Sequence, residues 1–267
     1  MDTRFIPANV IIQGDCIEQM KYLPNACVDL VVADPPYNLN KDFGTWKEKD
    51  KKDDWLPWSK HWLFQCKRVM KPGANLFVYG IHHHLCWLQC YLYEIGLDYR
   101  RQIIWFYENG FAGYTKNLAA HYEPLLWFSK GGGYTFHPIR EPYKSTERLK
   151  HKITKNGKTW TPHPDGRMAG DVWNFPVLAG RRFADEKVDH PTQKPMSISR
   201  RIVKHFSNEG DLVLVPFAGS GSECLAAKHL GRRYLGYELN PAYIGIAEDR
   251  LANINAELEQ LELETVT

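Results

Sequence analysis

Short apolar segments alternate with segments of helical periodicity along most of this chain, and few folds accommodate that alternation. Continuous apolar runs are typical of buried strands, whereas apolar residues three and four apart are typical of helices that cover a sheet. The predicted strands span residues 10–12, 29–33, 75–79, 102–107, 121–129, 212–215 and 233–237. The predicted helices span residues 16–23, 58–70, 82–95, 195–206 and 223–230, and another begins near 241. We therefore predict an α/β fold with a mixed, mostly parallel sheet and helices on both faces.

One segment, from residue 131 to about residue 187, lacks this periodicity and opens with three glycines. Between residues 140 and 167 it has eight basic and three acidic residues, a surplus of five positive charges, whereas the whole chain has a surplus of three. Long loops inside a domain are usually functional, and a polyanion would need such a local patch. We predict an insertion with a binding role. The predicted divisions are residues 1–130, 131–189 and 190–267.

The sequence also argues against several classes of protein. The six cysteines form no Cys-x-x-Cys pair, and the side chains of His82, His83 and His84 cannot converge on one ion, so we expect no metal site. No apolar run approaches the roughly 18 residues of a membrane-spanning helix. Residues 1–13 lack the pattern of a secretory signal. We expect a cytoplasmic protein without a membrane partner.

A glycine-rich turn follows the predicted strand at 212–215. Gly219 and Gly221 would let the backbone approach a ligand, and the next helix would offer free amides. Glu238 lies nineteen residues after Gly219 at the end of the next strand, where a carboxylate can accept hydrogen bonds from both ribose hydroxyls of a nucleoside. The third glycine of the dinucleotide fingerprint and the Gly-Lys-Ser/Thr of a P-loop are missing, which disfavours a nicotinamide or ATP site.

The sequence Asp34-Pro35-Pro36-Tyr37 follows the predicted strand at 29–33. Its two prolines remove two backbone donors, so the turn would present carbonyl oxygens beside the Asp34 carboxylate. We expect a cleft lined only by acceptors, which suits an amino group that carries two hydrogens. Tyr37 would stack on a planar base.

These motifs, in this order, resemble those of S-adenosylmethionine-dependent DNA methyltransferases that act on adenine N6, of the circularly permuted beta class. In that class the Asp-Pro-Pro-Tyr motif comes first, the target-recognition region follows, and the cofactor motif Phe-x-Gly-x-Gly comes last. Here residues 34–37 precede the basic insertion, His-Pro-Thr-Gln-Lys-Pro at 190–195 and Phe-Ala-Gly-Ser-Gly at 217–221. The resemblance extends from residue 14 to about 250. It implies a Rossmann-like methyltransferase fold, S-adenosylmethionine as cofactor and double-stranded DNA as substrate.

The resemblance also implies roles for individual residues. The amino group of a flipped-out adenine would donate hydrogen bonds to the Asp34 carboxylate and the Pro35 carbonyl, in a catalytic turn completed by Pro36 and Tyr37. The implied cofactor-binding residues are Asp15, Asp34, Thr192, Gln193, Lys194, Phe217, Gly219, Ser220, Gly221 and Glu238. Of these, Asp15 would approach the adenine of the cofactor, and Lys194 would neutralise its carboxylate.

The basic insertion is the candidate for DNA recognition, because lysine and arginine side chains neutralise phosphates. The predicted DNA-binding residues are Arg140, Lys144, Arg148, Lys150, Lys152, Lys155 and Lys158. The resemblance is also compatible with a homodimer and with a cognate restriction endonuclease as partner. Trp46, Trp55 and Trp58 would form either a lip over the base or part of the core.

Three alternatives stay open at this stage. The nearest alternative is the same enzyme class acting on cytosine N4, whose members usually have serine in place of Asp34. An RNA or a free nucleotide is a further substrate class. The third alternative is an inactive DNA-binding module, because Val215 stands where the family usually has an aspartate before the Pro-Phe pair.

Overall fold

The computed structural model describes residues 5–39, 41, 54–109, 116 and 118–254, and these residues form twelve strands and six α-helices. The strands are β1 (Val10–Gln13), β2 (Val28–Ala33), β3 (Met70–Tyr79), β4 (Asp98–Phe106), β5 (Tyr122–Ser129), β6 (Arg140–Glu141), β7 (Ile153–Lys155), β8 (Lys158–Trp160), β9 (Arg167–Met168), β10 (Val172–Asn174), β11 (Leu212–Val215) and β12 (Arg233–Glu238). The helices are α1 (Cys16–Met20), α2 (Trp55–Val69), α3 (His82–Glu94), α4 (Met196–Phe206), α5 (Ser222–His229) and α6 (Pro241–Ala252). None of these helices is both long and apolar enough to cross a membrane.

Eight of the described strands form one sheet in the order β1-β12-β11-β2-β3-β5-β4-β10. Strand β5 is antiparallel to its neighbours β3 and β4, and the other pairs are parallel. Seven strands therefore end at one edge, which we call the carboxyl edge, and β5 begins there. The predicted mixed, mostly parallel sheet is confirmed, and β11 lies beside β2 although about 180 residues separate them in the chain.

Alternating side chains of the strands pack into two cores, one on each face of the sheet. Along β2, Leu30 and Val32 face the core that is covered by α4, α5 and α6. Val31 and Ala33 face the opposite core, which is covered by α1, α2 and α3. Burial on both faces explains why the central strands are continuously apolar in sequence.

Strand β3 differs from its prediction, because it begins at Met70, directly after α2, rather than at residue 75. Its pairing with β2 shifts register between Val28 and Leu30, so that Met70 pairs with Val28 and Asn75 with Leu30. The extra residues of β3 at this irregularity include Pro72 and a glycine, which are residues that an ordinary ladder excludes and a bulge accepts.

The predicted insertion divides into an outer and an inner part. Strands β6 and β9 form one small sheet, and β7 and β8 form another, both outside the main sheet. Strand β10 instead joins the edge of the main sheet beside β4, where Trp173 is only 2% exposed. The indole of Trp173 donates to the Gly170 carbonyl at 3.1 Å. The last part of the segment at 131–189 thus contributes to the core.

We predict that Trp173→Ala lowers the free energy of unfolding by about 3–5 kcal/mol, because it empties a buried aromatic site. Trp160→Ala on β8, where the side chain is half exposed, is the matched control and should cost less than about 1 kcal/mol. Urea unfolding followed by circular dichroism measures both. Equal effects of the two substitutions would contradict the assignment of β10 to the core.

Candidate active site

A cavity of about 350 Å³ opens at the carboxyl edge, where β1, β12, β11 and β2 end. That volume is in the range of small-molecule sites. Twelve of the sequence-predicted site residues line it, from all of the predicted motifs: Asp15, Asp34, Pro35, Pro36, Tyr37, Thr192, Gln193, Lys194, Phe217, Gly219, Ser220 and Glu238. Parallel strands that end together explain why segments so distant in sequence meet here.

The glycine turn after β11 requires glycine at two positions. Gly219 has a φ of +49° and Gly221 a φ of +81°, both in the left-handed region. A Cβ at Gly219 would lie 2.9 Å from Nε2 of His190, and one at Gly221 would lie 2.8 Å from Cβ of Ala247. Gly219 therefore keeps the cavity wall open, whereas Gly221 lies behind the wall at the start of α5.

Glu238 ends β12 beside this turn, as the spacing predicts. Its Oε2 accepts a hydrogen bond from the Gly219 amide at 2.9 Å, and its Oε1 accepts one from the Asn240 amide at 2.8 Å. Burial raises the pKa of Glu238. Since each carboxylate oxygen has a second lone pair, both can still accept from a hydroxyl in the cavity.

Aromatic side chains form another wall of the cavity. The rings of Trp58 and Phe217 lie 5.7 Å apart, and Trp62 packs edge-on against Phe217 at 5.3 Å. Trp58 lines the cavity together with Phe217. Trp55 is buried, and its indole donates to the Pro36 carbonyl at 2.8 Å. Trp46 lies outside the described residues.

The Asp34 carboxylate has two donors in the structure. The Tyr37 hydroxyl donates to its Oδ1 at 2.6 Å, and Nζ of Lys194 lies 3.0 Å from its Oδ2. Nζ of Lys194 also lies 3.5 Å from Oε2 of Glu123, which the reversed strand β5 brings to the carboxyl edge. The expectation of a cleft lined only by acceptors is therefore wrong, because a buried lysine and a tyrosine hydroxyl enter it.

Burial alone would lower the pKa of Lys194, but Asp34 and Glu123 raise it above its ordinary value. Lys194 is thus a permanent ammonium group next to Asp34. Tyr37 is 8% exposed, and burial together with the charge of Asp34 raises its pKa, so its hydroxyl keeps its proton. Stacking of Tyr37 on a base stays a prediction.

The loop at 190–195 is held by its own side chains. Nε2 of Gln193 donates to the Glu186 carbonyl, and its Oε1 accepts from the Val188 amide, both at 2.8 Å. Burial lowers the pKa of His190 to about 4, so the ring is neutral at pH 7 and packs against Tyr243 at 4.4 Å. Gln193 thereby fixes the backbone that presents Lys194.

Asp15 caps the N-terminus of α1 at the rim of the cavity. Its Oδ1 accepts hydrogen bonds from the amides of Ile17 at 2.7 Å and Glu18 at 3.3 Å. Such a cap satisfies amides that have no partner within the helix. The cap fixes Asp15 in the cavity lining, and its contact with a cofactor stays a prediction.

Glu223, at the start of α5, is a cavity residue that the sequence analysis missed. It is 4% exposed, and the Ser199 hydroxyl donates to its Oε1 at 3.0 Å. Burial, and then the charge of Asp34, raise the pKa of Glu223 to about 7. An acid in the first turn of a helix is common in sequences, so nothing in its position signals burial.

Val215 is buried in the core on the α4–α5 face, and it does not line the cavity. The valine that stands here in place of the family's usual aspartate is therefore a core side chain. The following residues, Pro216 and Phe217, do line the cavity.

The predicted DNA-binding residues lie away from the cavity, in the outer part of the insertion. Six of the seven are exposed, and Arg148 is half-buried. Lys155 and Lys158 pair across the β7–β8 hairpin, and Lys150 forms an ion pair with Glu147.

The fold and the cavity are those of a DNA methylase. The family model described as DNA methylase matches residues 28–249, and the chain belongs to that family. The Type II methyltransferase M1.MboII of Moraxella bovis is 33% identical over 264 residues, which cover 96% of this chain and 98% of the relative. The DNA adenine methyltransferase YhdJ of Escherichia coli K12 is 34% identical, with 91% and 83% covered. The structure of TTHA0409 from Thermus thermophilus, complexed with S-adenosyl-L-methionine, has a TM-score of 0.60 at 25% identity, with 91% and 94% covered.

We predict that Glu223→Gln raises the free energy of unfolding, relative to wild type, more at pH 8 than at pH 5. An acid whose pKa is raised from 4.5 to about 7 on folding contributes its full stability below pH 4.5 and loses it as the pH rises through 7. The difference in free energy of unfolding between variant and wild type should therefore rise by about 2–3 kcal/mol from pH 5 to pH 8. Urea unfolding at both pH values measures it. Glu248→Gln, at an exposed glutamate of α6, should show no such rise.

Proposed function

We propose that this DNA methylase transfers a methyl group from S-adenosylmethionine to the exocyclic N6 of adenine in double-stranded DNA. The observation that carries the proposal is that the Asp34 turn and the Gly219–Glu238 pair share one cavity. Family membership and the adenine methyltransferase name of a relative that is 34% identical support it.

The residues of the cavity fit S-adenosylmethionine. Glu238 would accept hydrogen bonds from the ribose hydroxyls, and the open wall at Gly219 would let the cofactor pass close to the backbone. Trp58 and Phe217 offer aromatic surface for the adenine, near Asp15. Thr192, Gln193, Lys194 and Ser220 would complete the methionine end. When bound, the cofactor supplies an electrophilic methyl group on a positively charged sulfur.

Asp34 and Pro35 prepare the amino group of the target base. That nitrogen is a weak nucleophile because its lone pair is conjugated with the ring. Hydrogen bonds from its two N–H groups to the Asp34 carboxylate and the Pro35 carbonyl would favour a pyramidal nitrogen with a directed lone pair. The Asp34 oxygens each keep a lone pair for this beside their bonds to Tyr37 and Lys194.

The target adenine must leave the duplex to reach this cavity, which costs a few kcal/mol. Stacking on Tyr37 would offset part of that cost.

No covalent enzyme intermediate is required, so no cysteine has to act as a nucleophile. Four cysteines are buried thiols: Cys16, Cys27, Cys66 and Cys224.

Asp34 also separates the proposed reaction from its nearest alternative. Enzymes that methylate cytosine N4 usually have serine at this position, whereas this chain has the aspartate of the adenine type. The test is digestion of methylated DNA to nucleosides and identification of the modified base. N4-methylcytosine instead of N6-methyladenine would overturn the assignment, and S-adenosylmethionine binding without transfer would favour the inactive module.

We also propose that the outer insertion binds the DNA. Its basic residues are exposed on the β7–β8 hairpin and the neighbouring turns, where they would contact phosphates: Arg140, Lys144, Arg148, Lys150, Lys152, Lys155 and Lys158. A two-stranded ribbon is also of a size that the major groove admits. Residues 1–130 would then form the catalytic part and residues 190–267 the cofactor-binding part. Within 131–189 the outer sheets would form the recognition part, since β10 belongs to the main sheet.

The wider setting is part of the proposal too. The term Type II in the names of relatives belongs to the nomenclature of restriction–modification systems, which supports a cognate endonuclease as partner. We further propose a cytoplasmic location, where chromosomal DNA and cofactor are both available, and a homodimer by analogy with beta-class enzymes.

We predict that Asp34→Ala lowers the rate of methyl transfer by about a thousandfold or more, because the amino group loses its charged acceptor. The affinity for S-adenosylmethionine should stay within about tenfold of wild type, since Glu238 and the aromatic wall are unchanged. Single-turnover transfer of a labelled methyl group measures the first quantity, and calorimetry the second. Transfer at the wild-type rate would remove Asp34 from its proposed role.

We predict that Lys150→Glu and Lys152→Glu weaken DNA binding and reduce the slope of log affinity against log salt by about 0.9 per lost phosphate contact. Fluorescence anisotropy with a labelled duplex at several salt concentrations measures the slope. Lys21→Glu is the matched control for Lys150→Glu, because Lys21 also pairs with a glutamate three residues earlier, on α1. An unchanged slope in the two insertion variants would count against this surface.

A further inference from the structure

Glu123 forms part of a four-residue cluster around the catalytic aspartate. Nζ of Lys194 lies 3.0 Å from Oδ2 of Asp34 and 3.5 Å from Oε2 of Glu123. The Tyr37 hydroxyl lies 2.6 Å from Oδ1 of Asp34 and 3.2 Å from the same Oε2 of Glu123. Lys194 and Tyr37 thus each bridge the two carboxylates, and we call these four side chains the Asp34 cluster.

The Asp34 cluster has an excess of negative charge. Lys194 and Asp34 alone would make a neutral pair, and the second carboxylate adds a further charge. Nζ of Lys194 lies 3.5 Å from Oε2 of Glu123, whose side chain is 22% exposed. The rings of Tyr37, Tyr79 and Trp105 lie within 5.8 Å of Nζ of Lys194, so water does not screen these charges fully.

The charge of the Asp34 cluster matters because the proposed reaction moves a positive charge past it. The lone pair of the adenine nitrogen forms the new N–C bond, and the electron pair of the S–C bond returns to sulfur. A neutral thioether would be left, and the nitrogen would carry the positive charge until it loses a proton to the Asp34 carboxylate and then to water. Negative charge nearby favours the sulfonium form over the thioether and stabilises the developing cation.

We propose that Glu123 is a positioning residue that shares Lys194 with Asp34, so that the catalytic carboxylate faces the cofactor and the base with a net negative charge. This inference rests on the proposed function. Without Glu123, Lys194 would pair with Asp34 alone and cancel its charge. The chain order does not suggest this role, because 86 residues separate Glu123 from Tyr37 and 71 separate it from Lys194.

The test compares the binding of S-adenosylmethionine with that of S-adenosylhomocysteine, because the two ligands differ by the charge on sulfur. In Glu123→Gln, the preference for the sulfonium ligand should fall roughly three- to tenfold relative to wild type, as measured by calorimetry. The rate of single-turnover methyl transfer should fall as well. A role in folding alone would change both affinities equally.

Asp29→Asn is the matched control. Asp29 is also a strand carboxylate paired with a lysine, Lys71 at 2.7 Å, and its side chain is 17% exposed. It lies at the opposite end of β2 from Asp34, about 16 Å away along the strand. This variant should keep the ligand preference and the transfer rate of wild type.

Glu123→Asp keeps the charge and should restore most of the ligand preference. If Glu123→Gln does not fold, Glu123→Asp and Glu123→Asn make the same comparison. One outcome would overturn this inference alone: the wild type methylates adenine, and the neutral variants keep its preference for the sulfonium ligand. Wild-type protein that binds both ligands and methylates no adenine would overturn the proposed function instead.

Discussion

The ion pair between Asp34 and the buried Lys194 connects the two halves of the cavity. Asp34 follows β2, and Lys194 belongs to a loop 160 residues later, yet their charged atoms lie 3.0 Å apart. Removal of Lys194 would leave Asp34 and Glu123 without their shared cation, and breaking a buried pair in this way costs roughly 3–5 kcal/mol. The contact therefore couples the turn at 34–37 to the loop that Gln193 holds in place. The pairing of β11 with β2 brings the glycine turn after β11 to the same cavity.

The parts of the site that could be predicted from the sequence depend on local chemistry. Proline pairs, glycine turns and acids that follow parallel strands lie at the carboxyl ends of those strands. The sequence therefore predicts that the turn at 34–37, Gly219 and Glu238 lie at one edge, as they do. The sequence also predicts a strand at 121–129, but an apolar run does not indicate whether the strand is parallel or antiparallel to its neighbours. Glu123 reaches the carboxyl edge only because β5 is reversed, and strand direction depends on distant partners.

The composition of the insertion does not show how its strands pair. The β7–β8 hairpin turns at Asn156 and Gly157, both with positive φ, which is the pattern of a tight hairpin turn. Its residues are exposed, including Ile153 and Trp160, so turn chemistry and its backbone ladder rather than a core define it. A few residues later, Trp173 enters the main core. The basic residues lie in the outer part, at 140–167, whereas residues 172–179 are mostly apolar. The sequence does not show that this apolar run pairs with β4 at the edge of the main sheet.

Two carboxylates lie at the carboxyl edge of the sheet, Glu238 at the end of β12 and Asp34 directly after β2. Their hydrogen-bond partners differ. Glu238 is held by two backbone amides, which orient its oxygens and leave lone pairs for neutral hydroxyl groups. Asp34 is held by an ammonium group and a hydroxyl inside a cluster with a second carboxylate. Backbone amides carry no net charge, so they fix geometry, whereas a shared lysine tunes the charge that a reacting cation meets. Under the proposed function, Glu238 would bind the cofactor and Asp34 would act on the base.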